Sequence, residues 1–287
     1  MSTISRRSFI KNSAAQAATA SLLSAAAFEL RANPLGLPIG CQTWPVREQI
    51  AKDFPATLRQ LAAAGFQRIE MCSPVGYDDS GFGGLAKYKG SELRKIINDH
   101  GLQCISSHFG MDELRKNQDE RIAWAKDLGL EQMLVASLDG PQHPTLDDVK
   151  RAADEYNKMG EKAAAAGIRQ GLHNEGFETS SVNGRRTYDL LIGLLDPKYV
   201  NFQFQVSTIS DGFDAAEYFR KYPGRFFSMH VQGWNSTTKK EAPVGQDSLD
   251  WKNIFTAAKI GGLKNYFVEM TFAFMKASVP YLRSLEV

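Results

Sequence analysis

Several short apolar segments of this 287-residue chain end in residues that can bind a metal ion, transfer a proton or hold a hydroxyl group. The clearest is RQGLHNE, which ends in His173, Asn174 and Glu175. RFFSMH and NYFVE end in the same way, at His230 and Glu269. A buried carboxylate is costly unless it is paired or bound to a cation. If the two carboxylates and His230 converge, they indicate a metal site or an acid–base pair with separated pKa values.

Other polar or aromatic residues end similar segments, and each has an ordinary structural explanation as well. Glu70 would be a salt-bridge partner, His108 a hydrogen-bonded core histidine, and Trp44 a packed core ring. Gln203, two residues before Gln205, would be a structural hydrogen bonder. Whether these side chains act together depends on whether the fold brings their segments to one place.

A recurring phrase predicts the elements that position these residues. A small-residue helical stretch ends in Gly, one apolar residue follows, and a short apolar run comes next. The phrase occurs at residues 61–71, 97–108, 125–137, 163–175 and 257–270. Glycine suits the left-handed conformation that closes many helices, and the apolar run has the length of a buried parallel strand. Each phrase is therefore a helix followed by a strand.

Three more strands are predicted in the gaps, at residues 37–44, 198–207 and 224–234. Eight strands separated by helix-length segments, in about 260 residues, match a single-domain (β/α)8 TIM barrel. An open doubly wound sheet is the alternative, but no GxGxxG follows an early strand. In a barrel the active site lies at the carboxyl ends of the strands, so the polar residues would surround one mouth. The glycine-rich residues 76–90 are predicted as a long loop beside it.

The composition is that of an ordinary globular domain, with 43% hydrophobic and 23% charged residues and a formal net charge of +2. No basic block lies outside the N-terminus, so no nucleic-acid partner is expected. The three cysteines, Cys41, Cys72 and Cys104, are far apart and form no metal-ligand spacing. We expect them to be packed as small hydrophobic residues.

The N-terminus resembles a twin-arginine export signal. Arg6 and Arg7 in SRRSFIK precede an uncharged stretch rich in Ala, Ser and Leu, and residues 25–27 offer a small-residue cleavage site. A mature amphipathic helix or a membrane anchor is the alternative, but the stretch is too short and too Ala/Ser-rich to span a bilayer well. We predict a signal peptide at residues 1–27, a short segment at 28–35 and the barrel at 36–287. The resemblance implies handling by the twin-arginine translocase and a periplasmic or otherwise exported protein.

The mature chain, roughly residues 36–285, resembles the xylose-isomerase-like barrels of the sugar phosphate isomerase/epimerase family. The resemblance rests on the order and spacing of GFQRIEM, SSHFG, GLHNEGFE, SMHVQ, APVGQDSLDW and YFVEM. Family members commonly hold one divalent ion through Glu, Asp, His and Glu from four successive strands. Glu175, His230 and Glu269 match three of these positions. The Asp position is held here by Gln205, or by Gln203 if the strand register shifts.

Gln205 leaves two negative charges where the family pattern has three. A Gln carbonyl can still bind a hard cation as a neutral ligand. One Mn, Co, Mg or Zn ion is therefore the expected cofactor, held more weakly and acting as a stronger Lewis acid. The alternative is that metal binding has been lost and only a sugar-shaped pocket remains.

The resemblance implies sugar isomerisation or epimerisation, which begins with removal of a proton from a carbon next to a carbonyl. Glu175 and Glu269 are the predicted catalytic residues, and both also belong to the predicted metal site with Gln205 and His230. The predicted substrate-binding residues are Trp44, Glu70, His108 and His173. Export, and the absence of an Arg/Lys cluster at the strand ends, predict an unphosphorylated sugar or keto-sugar as the substrate.

Three other functions stay open at this point. A lyase or hydratase acting on keto-glycosides would use the same first step. A noncatalytic sugar-binding barrel is favoured by Gln205. A DNA-repair nuclease, for which a related barrel family is known, is disfavoured by the five histidines, the net charge of +2 and the export signal. Family members often form homo-oligomers, but no segment indicates a pairing surface.

Overall fold

In the computed structural model, which describes residues 33–287, eight parallel strands close into a barrel and helices surround it. The strands are β1 (Gly40–Gln42), β2 (Arg68–Cys72), β3 (Gln103–His108), β4 (Gln132–Val135), β5 (Arg169–Leu172), β6 (Val200–Gln205), β7 (Phe226–Val231) and β8 (Asn265–Val268). Their order around the barrel follows the chain, and β1 pairs with both β2 and β8. The predicted TIM barrel is confirmed; seven strands lie inside their predicted segments, and β2 extends one residue beyond its segment, to Cys72. The predicted export signal, residues 1–27, lies outside the described residues.

The helices lie on the outer side of the barrel. They are α1 (Arg47–Lys52), α2 (Phe54–Ala64), α3 (Gly90–Asp99), α4 (Met111–Leu128), α5 (Leu146–Ala165), α6 (Thr187–Leu194), α7 (Ala215–Lys221), α8 (Trp251–Gly261) and α9 (Phe272–Ser284). Their buried apolar residues pack against the outer faces of the strands in one continuous core. Within residues 33–287, no helix is long and apolar enough to cross a membrane.

The glycines of the repeated phrase close the helices as predicted. All five have left-handed backbone conformations, at Gly65, Gly101, Gly129, Gly167 and Gly262, with φ between +76° and +102°. L-residues with a Cβ adopt this region at a cost, so glycine is the favoured residue at these turns. Each turn sends the chain directly into the next strand, which sets where that strand begins.

The three cysteines are buried and unpaired with one another, as expected. The loop between β2 and α3 contains two short 3-10 turns, Asp78–Ser80 and Gly83–Leu85. Phe82 in this loop is fully buried, so the loop is anchored to the core. A two-stranded hairpin, Trp234–Asn235 with Lys240–Glu241, follows β7 at the same end of the barrel.

Candidate active site

An inner cavity of about 270 Å³ lies at the carboxyl ends of the strands. It is lined by ten residues: Gln42, Trp44, Cys72, Tyr77, His108, Ala136, His173, Glu175, His230 and Glu269. Six of the eight residues predicted for the site are therefore on its wall. The two that are not on this wall are Glu70 and Gln205.

An outer cavity of about 530 Å³ adjoins the inner one, and Trp44, Glu175 and Glu269 line both. Gln205 lies on the outer wall, which accounts for one of the two predicted residues missing from the inner wall. The strand register places Gln205 opposite His230 of β7, so Gln205 rather than Gln203 holds the mouth position on β6.

Glu70 lies beneath the inner cavity rather than on its wall. Its carboxylate is fully buried and accepts hydrogen bonds from Gln42 Nε2 at 2.9 Å, Ser106 Oγ at 2.5 Å and Gln203 Nε2 at 2.8 Å. It also contacts two cavity histidines, as described next. Five groups from four strands thus converge on one carboxylate, which leaves it no free position for a substrate hydroxyl.

His108 and His230 stand above Glu70. The Oε1 atom of Glu70 is 3.2 Å from His108 Nε2 and 2.5 Å from His230 Nε2. Burial would raise the pKa of the Glu70 carboxyl, but the two imidazoles lower it well below its usual value. Glu70 therefore stays ionised and fixes the orientation of both rings.

His230 lies between two carboxylates. Its Nδ1 atom is 2.9 Å from Glu269 Oε2, and its Nε2 atom contacts Glu70. Burial opposes protonation, but Glu269 and Glu70 raise the pKa of the imidazole to about 10. Burial opposes ionisation of Glu269, but His230 lowers the pKa of that carboxyl. Both ring nitrogens of His230 are therefore engaged by carboxylates.

His173 differs from His230 both in its hydrogen bonding and in the direction in which its pKa is shifted. It is buried, and neither ring nitrogen has a hydrogen-bond partner among the described residues. Burial lowers the pKa of its imidazole, with a contribution from His230 nearby, so the ring is neutral. The Nε2 atom lies 3.6 Å from Glu175 Oε1. Burial opposes ionisation of Glu175, but the neighbouring histidines, His173 first, lower the pKa of its carboxyl to about 2.

The residues present fit a divalent cation. Glu70, Glu175 and Glu269 are ionised at this end of the barrel. The raised pKa of His230 keeps that ring protonated, so it offsets one of the three negative charges. Buried lone pairs on the His173 ring and on Gln205 Oε1 also lack hydrogen-bond partners among the described residues. His108, His173 and His230 each offer a ring nitrogen within 4.8 Å of the others. Excess negative charge and unpartnered lone pairs are what a bound ion would satisfy.

Four residues of the inner wall were not assigned to the site from the sequence: Gln42, Cys72, Tyr77 and Ala136. Gln42 was visible as a strand-end residue; its Nε2 donates to Glu70, and its Oε1 accepts from the backbone N–H of Trp44 at 3.1 Å. Cys72 was assigned to packing alone, yet it also reaches the cavity. Tyr77 comes from the loop after β2, so no strand-end pattern could have indicated it.

A third cavity, of about 660 Å³, opens at the opposite end of the barrel. Its walls include Arg169 and Phe226, which begin β5 and β7, and Lys264, which precedes β8. None of the predicted site residues reaches it. Catalytic residues of such barrels lie at the carboxyl ends of the strands, so this cavity is not the candidate active site.

The family follows from this fold and site. A family model described as xylose isomerase-like TIM barrel matches residues 58–282. The chain belongs to the xylose isomerase-like TIM barrel family. No curated protein matches the chain in sequence.

Similar solved structures share the fold over most of the chain. A sugar phosphate isomerase/epimerase from Parabacteroides distasonis ATCC 8503 is 25% identical, with a TM-score of 0.73 over 86% of this chain and 94% of that one. D-psicose 3-epimerase with D-tagatose, from Clostridium cellulolyticum H10, is 14% identical, with a TM-score of 0.67 over 88% and 100%. IOLI protein with a binding zinc atom is 14% identical, with a TM-score of 0.64 over 87% and 95%.

Proposed function

We propose that the chain is a sugar isomerase or epimerase that removes a proton next to a carbonyl of an unphosphorylated sugar or keto-sugar. One observation carries this proposal: Glu175 and Glu269 are ionised carboxylates that reach the same cavity from β5 and β8. These strands are separated by β6 and β7 on one side of the barrel. Because two strands lie between them, the two bases can approach the planar carbonyl of a sugar from different faces.

In the proposed reaction, one of the two carboxylates takes the proton from the carbon beside the carbonyl. A proton is then returned at the neighbouring carbon, or at the same carbon on its other face. It comes from the first carboxyl, which now carries the abstracted proton, or from the other carboxylate after it has taken a proton from solvent. His108 and His173 lie on the wall of the same cavity and would hydrogen-bond the sugar hydroxyls. Glu70, buried beneath, keeps His108 and His230 in fixed orientations.

A divalent ion fits this site, as the unpartnered atoms and the excess negative charge indicate. Glu175, Gln205, His230 and Glu269 would hold it, and His230 would first give up the Nδ1 proton that it shares with Glu269. His173 is the additional nitrogen donor that the geometry offers. Such an ion polarises the carbonyl and stabilises the negative charge that develops on its oxygen. The zinc atom in the structure of the IOLI protein supports this assignment by analogy of fold alone.

The walls of both cavities support an unphosphorylated substrate. Arg47 is the only Lys or Arg among the described residues that line either cavity. Its Nη1 atom donates to the backbone oxygen of Trp44 at 3.0 Å, and its guanidinium lies 4.4 Å from the centre of the Trp44 ring. An engaged single cation is a poor phosphate site, since phosphate recognition normally uses several converging donors. D-psicose and D-tagatose, named for one similar structure, are unphosphorylated sugars.

Exchange of substrate hydrogen with solvent tests the proposal. We would incubate the mature protein with added Mn²⁺ and a panel of ketoses in D₂O, and follow deuterium next to the carbonyl by NMR. The expected result is exchange with an unphosphorylated sugar that falls by about 10²-fold or more in Glu175→Gln and in Glu269→Gln. Undiminished exchange in both variants would overturn the assignment of these carboxylates.

A matched control is Glu131→Gln, which changes an exposed carboxylate just before β4, at the other end of the barrel. This variant should exchange at the wild-type rate. A protein that exchanges only phosphorylated sugars would refute the substrate class while leaving the reaction type in place. Sugar binding without exchange in the wild type would indicate a noncatalytic sugar-binding barrel.

A further inference from the structure

We propose that the outer cavity is a subsite for a second sugar unit, so that the substrate is a neutral disaccharide or other glycoside. The reacting ring lies in the inner cavity, and the attached ring lies in the outer one. This inference rests on the proposed function and extends it, because it names the size and class of the substrate.

The sizes of the two cavities are the first observation. The inner cavity, at about 270 Å³, falls just below the range of roughly 300–1,000 Å³ that is typical of small-molecule sites. It suits a single small ring. The outer cavity, at about 530 Å³, is about twice as large and opens directly from it. A substrate consisting of one ring would leave the larger part of the mouth unused.

The second observation is how the two cavities are joined. Glu175 and Glu269, the proposed bases, line both of them. A group attached to the reacting ring can therefore pass between the bases into the outer cavity without leaving the site.

Trp44 also lines both cavities, and its neighbours pack closely around its ring. Its ring is nearly parallel to Phe82, with centroids 6.5 Å apart and an interplanar angle of 16°. The edge of Tyr77 meets it at a centroid distance of 5.9 Å, and the Arg47 guanidinium also covers it. Because Phe82 is fully buried, it limits movement of the Trp44 ring toward that side. Two separate compartments fit two linked rings better than one extended chain.

The chemistry of the outer wall suits a neutral saccharide. The segments that follow four of the strands contribute amide or hydroxyl side chains or an aromatic ring: Gln49, Ser207, Gln232, Thr271 and Phe272. Gln232 Nε2 donates to Glu241 on the hairpin after β7, so part of this polar rim is already ordered. Sugars combine hydroxyl groups with apolar C–H faces, and a wall of amides, hydroxyls and aromatic rings complements both. The engaged Arg47 leaves no free cation for an anionic second group.

Matched ketoses provide the test. We would compare D-fructose with maltulose, turanose and isomaltulose, in which a glucosyl unit is attached at different positions of the fructose unit. A second pair is oxidised (keto) lactose and the corresponding methyl keto-glycoside. Deuterium exchange reports turnover, and saturation-transfer NMR reports which ring contacts the protein. We expect at least one two-ring compound to exchange with a kcat/KM about tenfold or more above its one-ring partner, with both rings in contact.

Ser207→Trp fills the outer cavity and Ser210→Trp is its control, since Ser210 lies in the same short turn but is exposed and does not line the cavity. Ser207→Trp should lower the two-ring to one-ring ratio of kcat/KM at least about tenfold, and Ser210→Trp should leave that ratio unchanged. Equal rates for both members of every pair, with no effect of Ser207→Trp on the ratio, would overturn the subsite. Binding of both rings without any exchange would keep the subsite and refute the proposed function. Exchange confined to one-ring sugars would support the proposed function and refute the subsite.

Discussion

Gln205 and Glu269 are hydrogen-bonded to each other at the barrel mouth, with Nε2 and Oε2 2.7 Å apart. Gln205 therefore neutralises none of the charge on Glu269 but satisfies part of its hydrogen bonding. The other end of the amide, Oε1, is buried without a partner. An Asp in this place would set a second carboxylate against Glu269, which costs energy unless a cation lies between them. The Gln thus stabilises the site when no ion is bound.

The Gln205→Asp variant should bind Mn²⁺ about tenfold more tightly than the wild type, because a third negative charge joins the proposed ligands. In the presence of a chelator, its melting temperature should fall below that of the wild type, because two carboxylates then face each other. Titration calorimetry and thermal unfolding with and without Mn²⁺ measure the two effects. Gln246→Asp adds the same charge at an exposed position and should change neither quantity. Unchanged or weaker Mn²⁺ binding in Gln205→Asp would contradict the assignment.

Glu70→Ala should destabilise the protein by about 3–5 kcal/mol, the usual cost of removing one partner from a buried ion pair. The variant leaves His108, His230 and three neutral donors without their acceptor. Glu70→Gln should cost less, since its carbonyl oxygen still accepts hydrogen bonds. Urea unfolding at neutral pH measures both, with the exposed Glu131→Gln expected within about 0.5 kcal/mol of the wild type. A loss below about 1 kcal/mol in Glu70→Ala would mean that Glu70 does not hold the two rings.

Glu178 makes stability depend on pH. It lies in a short turn after β5, where its Oε1 accepts from the backbone N–H of Leu138 at 2.9 Å and its Oε2 is buried without a partner. Burial raises the pKa of this carboxyl from 4.5 to about 8. The folded protein therefore keeps a proton that the unfolded chain releases. The stabilising contribution is full below pH 4.5 and is lost as the pH rises to about 8.

Glu178→Gln should remove this dependence. Free energies of unfolding, measured in urea between about pH 5 and pH 9, should fall more steeply in the wild type. One proton accounts for at most about 1.4 kcal/mol per pH unit of difference in slope. Parallel curves for the two proteins would show that the Glu178 carboxyl titrates equally in the folded and unfolded states.

The predicted export signal can be tested in the full chain. Replacing Arg6 and Arg7 by Lys should keep the protein in the cytoplasm at its full length of 287 residues, because the translocase reads the arginine pair. The unaltered chain should appear in the periplasm and, by intact mass, lack residues 1–27. Lys11→Arg changes a nearby cation conservatively and should be exported normally. Export of the double-lysine variant by the same route would contradict the twin-arginine assignment.

The barrel could be predicted because two local signals repeat along the chain. Gly65 and Gly129 each close a helix in the left-handed conformation, and each precedes a short apolar run. Those signals give the order of the strands, and barrel geometry then places Glu175, His230 and Glu269 at one mouth. The prediction needed no knowledge of side-chain contacts.

How deep each side chain lies below the barrel mouth could not be predicted in the same way. Glu70 and His108 were both predicted at strand ends, but β2 continues to Cys72, and Cys72 rather than Glu70 is the register partner of His108. Glu70 therefore lies below His108 inside the barrel. The engaged nitrogens of His230 and the unpartnered ones of His173 likewise depend on residues from other strands. Tyr77 reaches the site through the path of a loop. Such relationships arise from the closed sheet and leave no spacing pattern in the sequence.

The hydrogen bonds inside the barrel also limit how this chain can diverge. Ser228 Oγ donates to Gln132 Oε1 and lies 3.0 Å from Gln203 Nε2, which in turn donates to Glu70. A hydroxyl has one proton to give, so Ser228 can serve both amides only in this direction. Replacing any one of these residues leaves buried polar atoms of its neighbours without a hydrogen-bond partner. Functional variants of this chain should therefore change these positions together. A single-site mutational scan should find these positions among the least tolerant of substitution in the protein.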